Sequence, residues 1–137
     1  MYEKILIPMA LDHGIGPTAL EVAATLLSEG GVIHALHVYE APGGSVSAYL
    51  DPEVVQAGYD AARKRLTERV AGLDHVTPVL RKGHSSRTII DYASEVGADC
   101  IVIGSHKPGL SDYLLGSTAS RVVRHAPCAV HVLRNLG

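Results

Sequence analysis

Apolar residues along this chain form short runs that alternate with longer segments of helical periodicity. The runs have the length of β-strands, and five of them occur, at residues 4–9, 32–39, 76–81, 100–103 and 128–133. The segments between them carry apolar side chains at the three- and four-residue spacing of amphipathic helices, at residues 17–27, 51–72, 88–96 and 119–125. The pattern therefore predicts five strands connected by helices.

Proline, glycine and serine mark the predicted ends of several helices. Pro17 is predicted to begin the first helix and Pro52 the longest one. The N–H of a first-turn residue has no partner within the helix, so proline loses no hydrogen bond there. Gly30-Gly31 is predicted to end the first helix. Ser85 is predicted to be the N-cap of the third helix.

The arrangement of these elements predicts an α/β fold. Strands one, four and five are nearly continuous apolar runs, as expected for a sheet that is covered on both faces. Helical crossovers imply parallel pairing and right-handed connections. We therefore expect one domain over residues 1–137: an open parallel five-stranded sheet in the order 3-2-1-4-5, with helices on both faces.

Two loops contain the residues with the clearest functional pattern. In such a sheet, ligands bind beyond the carboxyl ends of the strands, at the point where the strand order reverses. That point lies between strands one and four, so the loops Pro8–Gly14 and Gly104–Leu115 face it. The second loop is longer than the usual connection between a strand and a helix, which favours a functional role.

The second loop has the composition of an anion cradle. Gly104, at a strand end, allows a ligand to approach the backbone. Gly116-Ser117-Thr118 would begin the last helix, where free N–H groups and two hydroxyls could hold phosphate oxygens. His106 and Lys107 would add donors. The alternative is that the glycines only shape turns and Ser117 only caps the helix. Their combination in one loop favours phosphate binding.

Composition excludes several other classes of protein. The 137 residues are 47% hydrophobic and carry a net charge of −2 without a basic run, which argues against nucleic acid as a partner. Phe and Trp are absent, and the six Tyr are scattered, so no base-stacking platform is expected. We find neither an apolar segment of about 20 residues nor the pattern of a signal peptide. We expect a cytoplasmic protein without a membrane role.

No catalytic or metal motif emerges. His34 and His37 would point to opposite faces of a strand and could not chelate together. The chain lacks a nucleophile elbow, a P-loop and a dinucleotide-binding glycine motif, so we predict no catalytic residues and no metal held by side chains. Cys100 and Cys128 are expected to be small buried residues. If their strands are neighbours, a disulfide between them is an alternative that the sequence leaves undecided.

With these segments the chain resembles the universal stress protein superfamily over essentially its whole length. The loop from Gly104 to Thr118 is similar to the superfamily's nucleotide signature, G-x2-G-x9-G-[S/T]. The variant Ser105-His-Lys-Pro108, followed by Tyr113-Leu-Leu-Gly-Ser117, is similar to the F/G-type branch. The likeness extends to segments outside this loop: Ile5–Pro8, His37–Tyr39, Lys82-Gly83 and Arg124–Arg134.

The resemblance implies a structure, a ligand and an assembly. The fold would be Rossmann-like, of the adenine-nucleotide alpha-hydrolase type, with the strand order 3-2-1-4-5. The protein would bind ATP, with Mg²⁺ or Mn²⁺ on the phosphates as an option, and would regulate a stress response with a further protein partner. It would form a homodimer through the last strand, around Ala129, His131 and Leu133.

By the same resemblance, the nucleotide site divides into two parts. Adenine would lie near four residues: Pro8, Met9, Ala10 and Val38. Ribose and phosphates would contact the residues of the second loop and the last helix: Gly104, His106, Lys107, Gly109, Gly116, Ser117 and Thr118.

Two departures from the family pattern define the alternatives. Lys107 replaces the second glycine, and eight residues separate it from Gly116, with Gly109 close by. Ala10 stands where the family usually has Asp, and Asp12 follows two positions later. These departures motivate a nucleotide-free interaction module as one alternative. A slow metal-dependent nucleotide hydrolase, using Asp12, His106 and Asp112, is the other.

Overall fold

The computed structural model describes residues 1–11, 16–40, 51–105 and 115–134 of the chain. Strands and helices alternate throughout these ranges. The strands are β1 (Tyr2–Pro8), β2 (Leu27–Tyr39), β3 (Val76–Lys82), β4 (Cys100–Gly104) and β5 (Ala129–Leu133). The helices are α1 (Pro17–Leu26), α2 (Pro52–Val70), α3 (Ser85–Val96) and α4 (Ser117–His125).

The five strands form one parallel sheet in the order β3-β2-β1-β4-β5. The predicted fold class and strand order are therefore confirmed. Ile5 of β1 pairs with Ile33 of β2 on one side and with Cys100 of β4 on the other, so β1 lies at the centre. β3 and β5 form the two edges.

Helices cover both faces of the sheet, as the apolar strands predicted. Ile5 and Ile7 pack with Ala23 of α1, and Ala35, next to them, packs with Leu66 of α2. The intervening Leu6 points the other way and packs beneath α3 and α4. Burial of this apolar surface is the main stabilising term of the fold.

The first helix ends earlier than predicted. Leu27 already has extended dihedral angles and begins β2, so α1 stops at Leu26. Gly30-Gly31 therefore lies within a strand, and the prediction that it ends the helix is wrong. The pair accommodates an irregularity of the ladder between β1 and β2: Gly30 has φ +81°, and a Cβ on Gly31 would come within 2.9 Å of the Glu3 carbonyl oxygen.

The predicted cap of the third helix is also corrected. His84, not Ser85, is the N-cap residue of α3, and its side chain makes no capping bond. Instead the Glu40 carboxylate, at the end of β2, accepts a hydrogen bond of 2.7 Å from the Ser85 N–H. An anion at a helix N-terminus is favoured by the unpaired N–H groups and by the helix dipole, so a side chain distant in sequence replaces the local cap.

Cys100 lies on β4 and Cys128 directly precedes the neighbouring strand β5, and the two side chains pack on opposite faces of the sheet. Cys100 packs with Ile5 on the α1 side, whereas Cys128 packs against the core under α3 and α4. Side chains on opposite faces of a sheet cannot form a disulfide without backbone movement, and both cysteines are free. Burial raises the pKa of both thiols, as expected for inert structural cysteines.

Asp99 fixes the start of the central strand. Its carboxylate oxygen Oδ2 accepts hydrogen bonds from the N–H groups of Glu3 at 2.7 Å and Lys4 at 3.1 Å. In return the Asp99 N–H donates to the Lys4 carbonyl at 2.8 Å. These bonds join the residues just before β4 to the first residues of β1.

We expect Asp99→Ala to destabilise the protein by about 1–2 kcal/mol, because two backbone donors lose a charged acceptor. Urea denaturation measures this difference. Asp91→Ala is the matched control: its 3.9 Å ion pair with Arg87 is exposed, so the cost should stay below about 0.5 kcal/mol. Equal losses in the two variants would contradict the role given to Asp99.

His34 forms a polar contact beneath α3. Its Nδ1 lies 2.6 Å from the hydroxyl of Tyr92, and both side chains are partly withdrawn from solvent. Burial lowers the pKa of His34 below its usual 6.5, and the nearby Lys4 ammonium lowers it further. Burial also raises the pKa of Tyr92, so the phenol keeps its proton and donates to the neutral imidazole.

This contact predicts a loss of stability in acid. The unfolded chain takes up a proton on His34 near pH 6.5, whereas the folded protein resists it. The contribution of the neutral His34 to the free energy of unfolding is therefore complete above that pH and declines as the pH falls below it. We expect the melting temperature of the wild type to fall more steeply between pH 7.5 and pH 5 than that of His34→Asn. His125→Asn, which changes an exposed histidine, should follow the wild type.

Candidate functional site

The candidate site begins at the carboxyl end of β1. The chain continues alongside β2 after Pro8, because the Met9 N–H donates to the Leu36 carbonyl at 2.8 Å. The Met9 side chain is buried against α2, whereas Ala10 is exposed. Met9 therefore forms the floor at this end, and Ala10 stands at the surface without a polar side chain.

His37 holds the Met9 backbone from the neighbouring strand. Its Nδ1 lies 2.9 Å from the Met9 carbonyl oxygen, so the imidazole carries a proton on Nδ1 and donates it. Both backbone polar groups of Met9 are thus occupied within the protein. The composition of the sequence gave no signal for this contact, because it depends on the register of β1 and β2. His34 contacts Tyr92 on the other face, so the predicted separation of His34 and His37 is confirmed.

The second part of the site lies at the end of β4. Ser105 is buried, and its N–H donates to the Leu133 carbonyl at 2.8 Å. Its own carbonyl accepts a 2.7 Å hydrogen bond from the Gly116 N–H. This bond closes the connection between β4 and α4, and it brings Gly116 next to Gly104. The two glycines that the sequence singled out are therefore neighbours in the structure.

The N-terminus of α4 points to the same place. Gly116 is the N-cap residue and provides no side-chain cap, and its carbonyl accepts the first helical bond, from Ser120, at 2.8 Å. The N–H groups of Ser117 and Thr118 precede that bond, so they have no partner within the helix. Arg124 and His125 in the last turn complement the negative end of the helix dipole. The Gly116 N–H itself is used by Ser105.

Gly104 leaves open space above the sheet. A Cβ built on this exposed residue would meet no described atom within 4 Å. Val38, of β2, packs against the core under α3 and α4. Three of the predicted contact residues, His106, Lys107 and Gly109, lie outside the described residues, as do Asp12 and Asp112.

A polar network that the sequence did not suggest borders this site. His84 lies between Ser86 and Arg121, with its Nδ1 3.3 Å from the Ser86 hydroxyl and its Nε2 3.4 Å from an Arg121 nitrogen. Because Arg121 can only donate, His84 accepts on Nε2 and donates from Nδ1. The network joins the start of α3 to the first turns of α4. Glu40 reaches the same end of α3 from β2.

Other kinds of site are not found in the described parts of the chain. No group of three or more His, Cys, Asp or Glu residues there could hold a metal ion. None of the helices described has the length and apolar character needed to cross a membrane. In open parallel α/β sheets, ligands bind at the switch point of the strand order, where this structure places a glycine and a helix N-terminus.

Comparison with known proteins gives the family. A model of the Universal stress protein family matches residues 1–134, and the chain belongs to this family. It is 33% identical over 144 residues to Universal stress protein G of Shigella flexneri, an alignment that covers 98% of this chain and all of that protein. Universal stress protein UspA from Lactobacillus plantarum has the same fold, with a TM-score of 0.67 and 27% identity, over 97% of this chain and 98% of that one.

Two more distant structures of the family contain nucleotides. A universal stress protein in complex with cAMP has a TM-score of 0.59 at 20% identity, with 97% of both chains covered. The Archaeoglobus fulgidus protein in complex with dAMP has a TM-score of 0.57 at 20% identity, with 97% of this chain and 98% of that one covered. At this identity they establish the common fold.

Proposed function

We propose that this protein binds an adenine nucleotide, ATP in the first place, at the switch point between β1 and β4. In this proposal a nucleotide-dependent conformation or partner contact, in a homodimer, regulates a stress response in the cytoplasm. The phosphates lie against Gly104 and the start of α4. The base lies toward Pro8, Met9, Ala10 and Val38, and His106, Lys107 and Gly109, outside the described residues, stay predicted contacts of the ribose and phosphates.

One observation carries the proposal: the hydrogen bond between Gly116 and Ser105, which fixes an uncapped helix N-terminus beside an exposed glycine. Free N–H groups and the helix dipole favour an anion at this position. Ser117 and Thr118 add hydroxyl groups as further donors. Gly104 gives the phosphates room, since no described side chain lies above it.

The adenine part of the proposal has support from the rest of the family. Two structures with this fold hold cAMP and dAMP, both of which carry adenine. In this chain the half-buried Val38 offers apolar surface to a base on the side of α3 and α4. Mg²⁺ or Mn²⁺ would be coordinated mainly by phosphate oxygens and water.

The homodimer part of the proposal depends on the difference between the two edges of the sheet. At the β5 edge, the Leu133 carbonyl bonds to Ser105, so the backbone of Leu133 faces β4. Because this direction alternates along a strand, the backbone groups of Val130 and Val132 point to the free edge. The exposed side chains of Ala129 and His131 alternate with them.

The β3 edge is blocked. Pro78 has no N–H to offer to another strand. The carbonyl of Leu80 accepts hydrogen bonds from the Tyr59 hydroxyl at 3.4 Å and from Arg81 at 3.3 Å. A second copy of the chain would therefore add at β5, where an unpaired edge needs cover.

Nucleotide binding is tested by filling the space above Gly104. We expect the affinity for ATP, measured by calorimetry, to be highest in the wild type, lower in Gly104→Ala and lowest in Gly104→Val. The valine variant should lose at least about tenfold. A Cβ at this position meets no described atom, so melting temperatures should stay close to that of the wild type.

Gently purified wild-type protein should also release adenine nucleotide when it is heat-denatured. Absence of released nucleotide, together with no binding at millimolar ATP, would contradict the proposal and favour a nucleotide-free interaction module. Phosphate release above the Gly104→Val background, in the presence of Mg²⁺ or Mn²⁺, would instead indicate a hydrolase.

The dimer is tested by removing one outward N–H from the free edge. We expect Val130→Pro to be a monomer in analytical ultracentrifugation, because proline cannot donate across an interface between strands. Val130→Ala keeps the N–H and loses similar packing, so it should remain a dimer. A wild-type monomer, or a Val130→Pro dimer, would show that the edge of β5 is not the interface.

A further inference from the structure

We propose that Glu40 selects the base of the nucleotide: its carboxylate accepts a hydrogen bond from the exocyclic amino group of adenine and disfavours a 6-oxopurine. The inference rests on the proposed function. It adds to that function a residue that determines which purine the site accepts.

The position of Glu40 follows from the alternation of side chains along β2. Leu36 is buried beneath α3 and α4, and Val38 packs against the same core. Two residues further on, Glu40 lies on the same face. Its bond to Ser85, the first residue of α3, independently places the carboxylate on that side of the sheet. Glu40 is therefore next to Val38, where the proposed site holds the base.

Among the described residues, one bond orients the Glu40 carboxylate and leaves acceptor positions unused. One oxygen, Oε1, accepts the Ser85 N–H at 2.7 Å, and Glu40 is otherwise exposed. An ionised carboxylate has about four acceptor positions, so Oε2 can accept from a ligand. Because the bond to Ser85 already restricts the side chain, a ligand pays little additional entropy to use it.

The order of the strands determines which end of the nucleotide reaches Glu40. The phosphates are proposed to lie at α4 and the end of β4, and the next strands across the sheet are β1 and then β2. Adjacent strands are about 4.8 Å apart, so β2 lies about 10 Å from β4. A nucleotide anchored by its phosphates at β4 therefore extends across Met9 and brings its base, not its ribose, to Glu40.

The two purine classes present opposite groups at this position. The amino group on C6 of adenine has two N–H donors, which a carboxylate can accept. Hypoxanthine has a carbonyl oxygen there, so two acceptors would face each other and one hydrogen bond would be lost. A hydrogen bond to a charged group typically gives tenfold discrimination or more.

The experiment compares the affinities of ATP and of its 6-oxo analogue ITP by calorimetry. We expect the wild type to prefer ATP by about tenfold or more and Glu40→Gln to reduce the preference to about threefold or less. The glutamine Oε1 still accepts the Ser85 N–H, while its amide nitrogen can donate to the carbonyl of ITP. Glu68→Gln is the control: it makes the same charge change at an exposed position of α2, and it should keep the wild-type ratio.

The ratio of the two affinities is the diagnostic quantity. Removing a negative charge strengthens the binding of any triphosphate, and this effect cancels between ATP and ITP. Equal affinities of the wild type for both ligands, or an unchanged ratio in Glu40→Gln, would overturn the inference. Wild-type protein that binds neither ligand would overturn the proposed function itself, which is a separate result. The wild-type ratio remains decisive even if Glu40→Gln fails to fold.

Discussion

The central strand β1 is buried on both faces, and the rest of the structure depends on this constraint. Ile5, Leu6 and Ile7 are at most 2% exposed although they point alternately to opposite sides. A strand of this kind is stable only between two layers of helices. With right-handed connections, the chain must therefore add β2 and β3 on one side of β1 and β4 and β5 on the other. The reversal of strand order between β1 and β4 is a geometric consequence of burying three consecutive aliphatic residues.

Much of this arrangement could be predicted from the sequence, because the strands are apolar and proline marks the start of two helices. The predictions failed where a distant residue replaced a local signal. Ser85 has the preferred type for an N-cap, yet Glu40 satisfies the helix from 45 residues away. Gly30-Gly31 resembles the end of a helix. However, Leu27 pairs with Tyr2 of β1, so the chain is already part of the sheet three residues before Gly30. Neither contact is encoded in a local window of sequence.

In the candidate site, too, residues with a local sequence signal were predicted, whereas a contact that depends on strand pairing was not. Gly104, Gly116, Ser117 and Thr118 were predicted from their place at a strand end and a helix start, and the structure brings Gly116 beside Gly104 at the start of α4. The hydrogen bond of His37 to the Met9 carbonyl was not predicted, since it depends on the exact neighbour of β1 in the sheet. The structure thus changes the view of the site. Both backbone polar groups of Met9, beside the candidate site, are already bonded within the protein.

The unequal edges of the sheet also limit how far the protein can assemble. A sheet with two open edges can accept strands on both sides, and repeated addition then leads to open-ended fibres. Here Pro78 and the Tyr59 hydroxyl close the β3 edge, whereas no described strand pairs with the outer side of β5. If two copies pair at β5 as proposed, the combined sheet exposes only the two β3 edges. Growth by strand addition then ends at two chains, so one proline and one tyrosine would protect the protein from polymerisation.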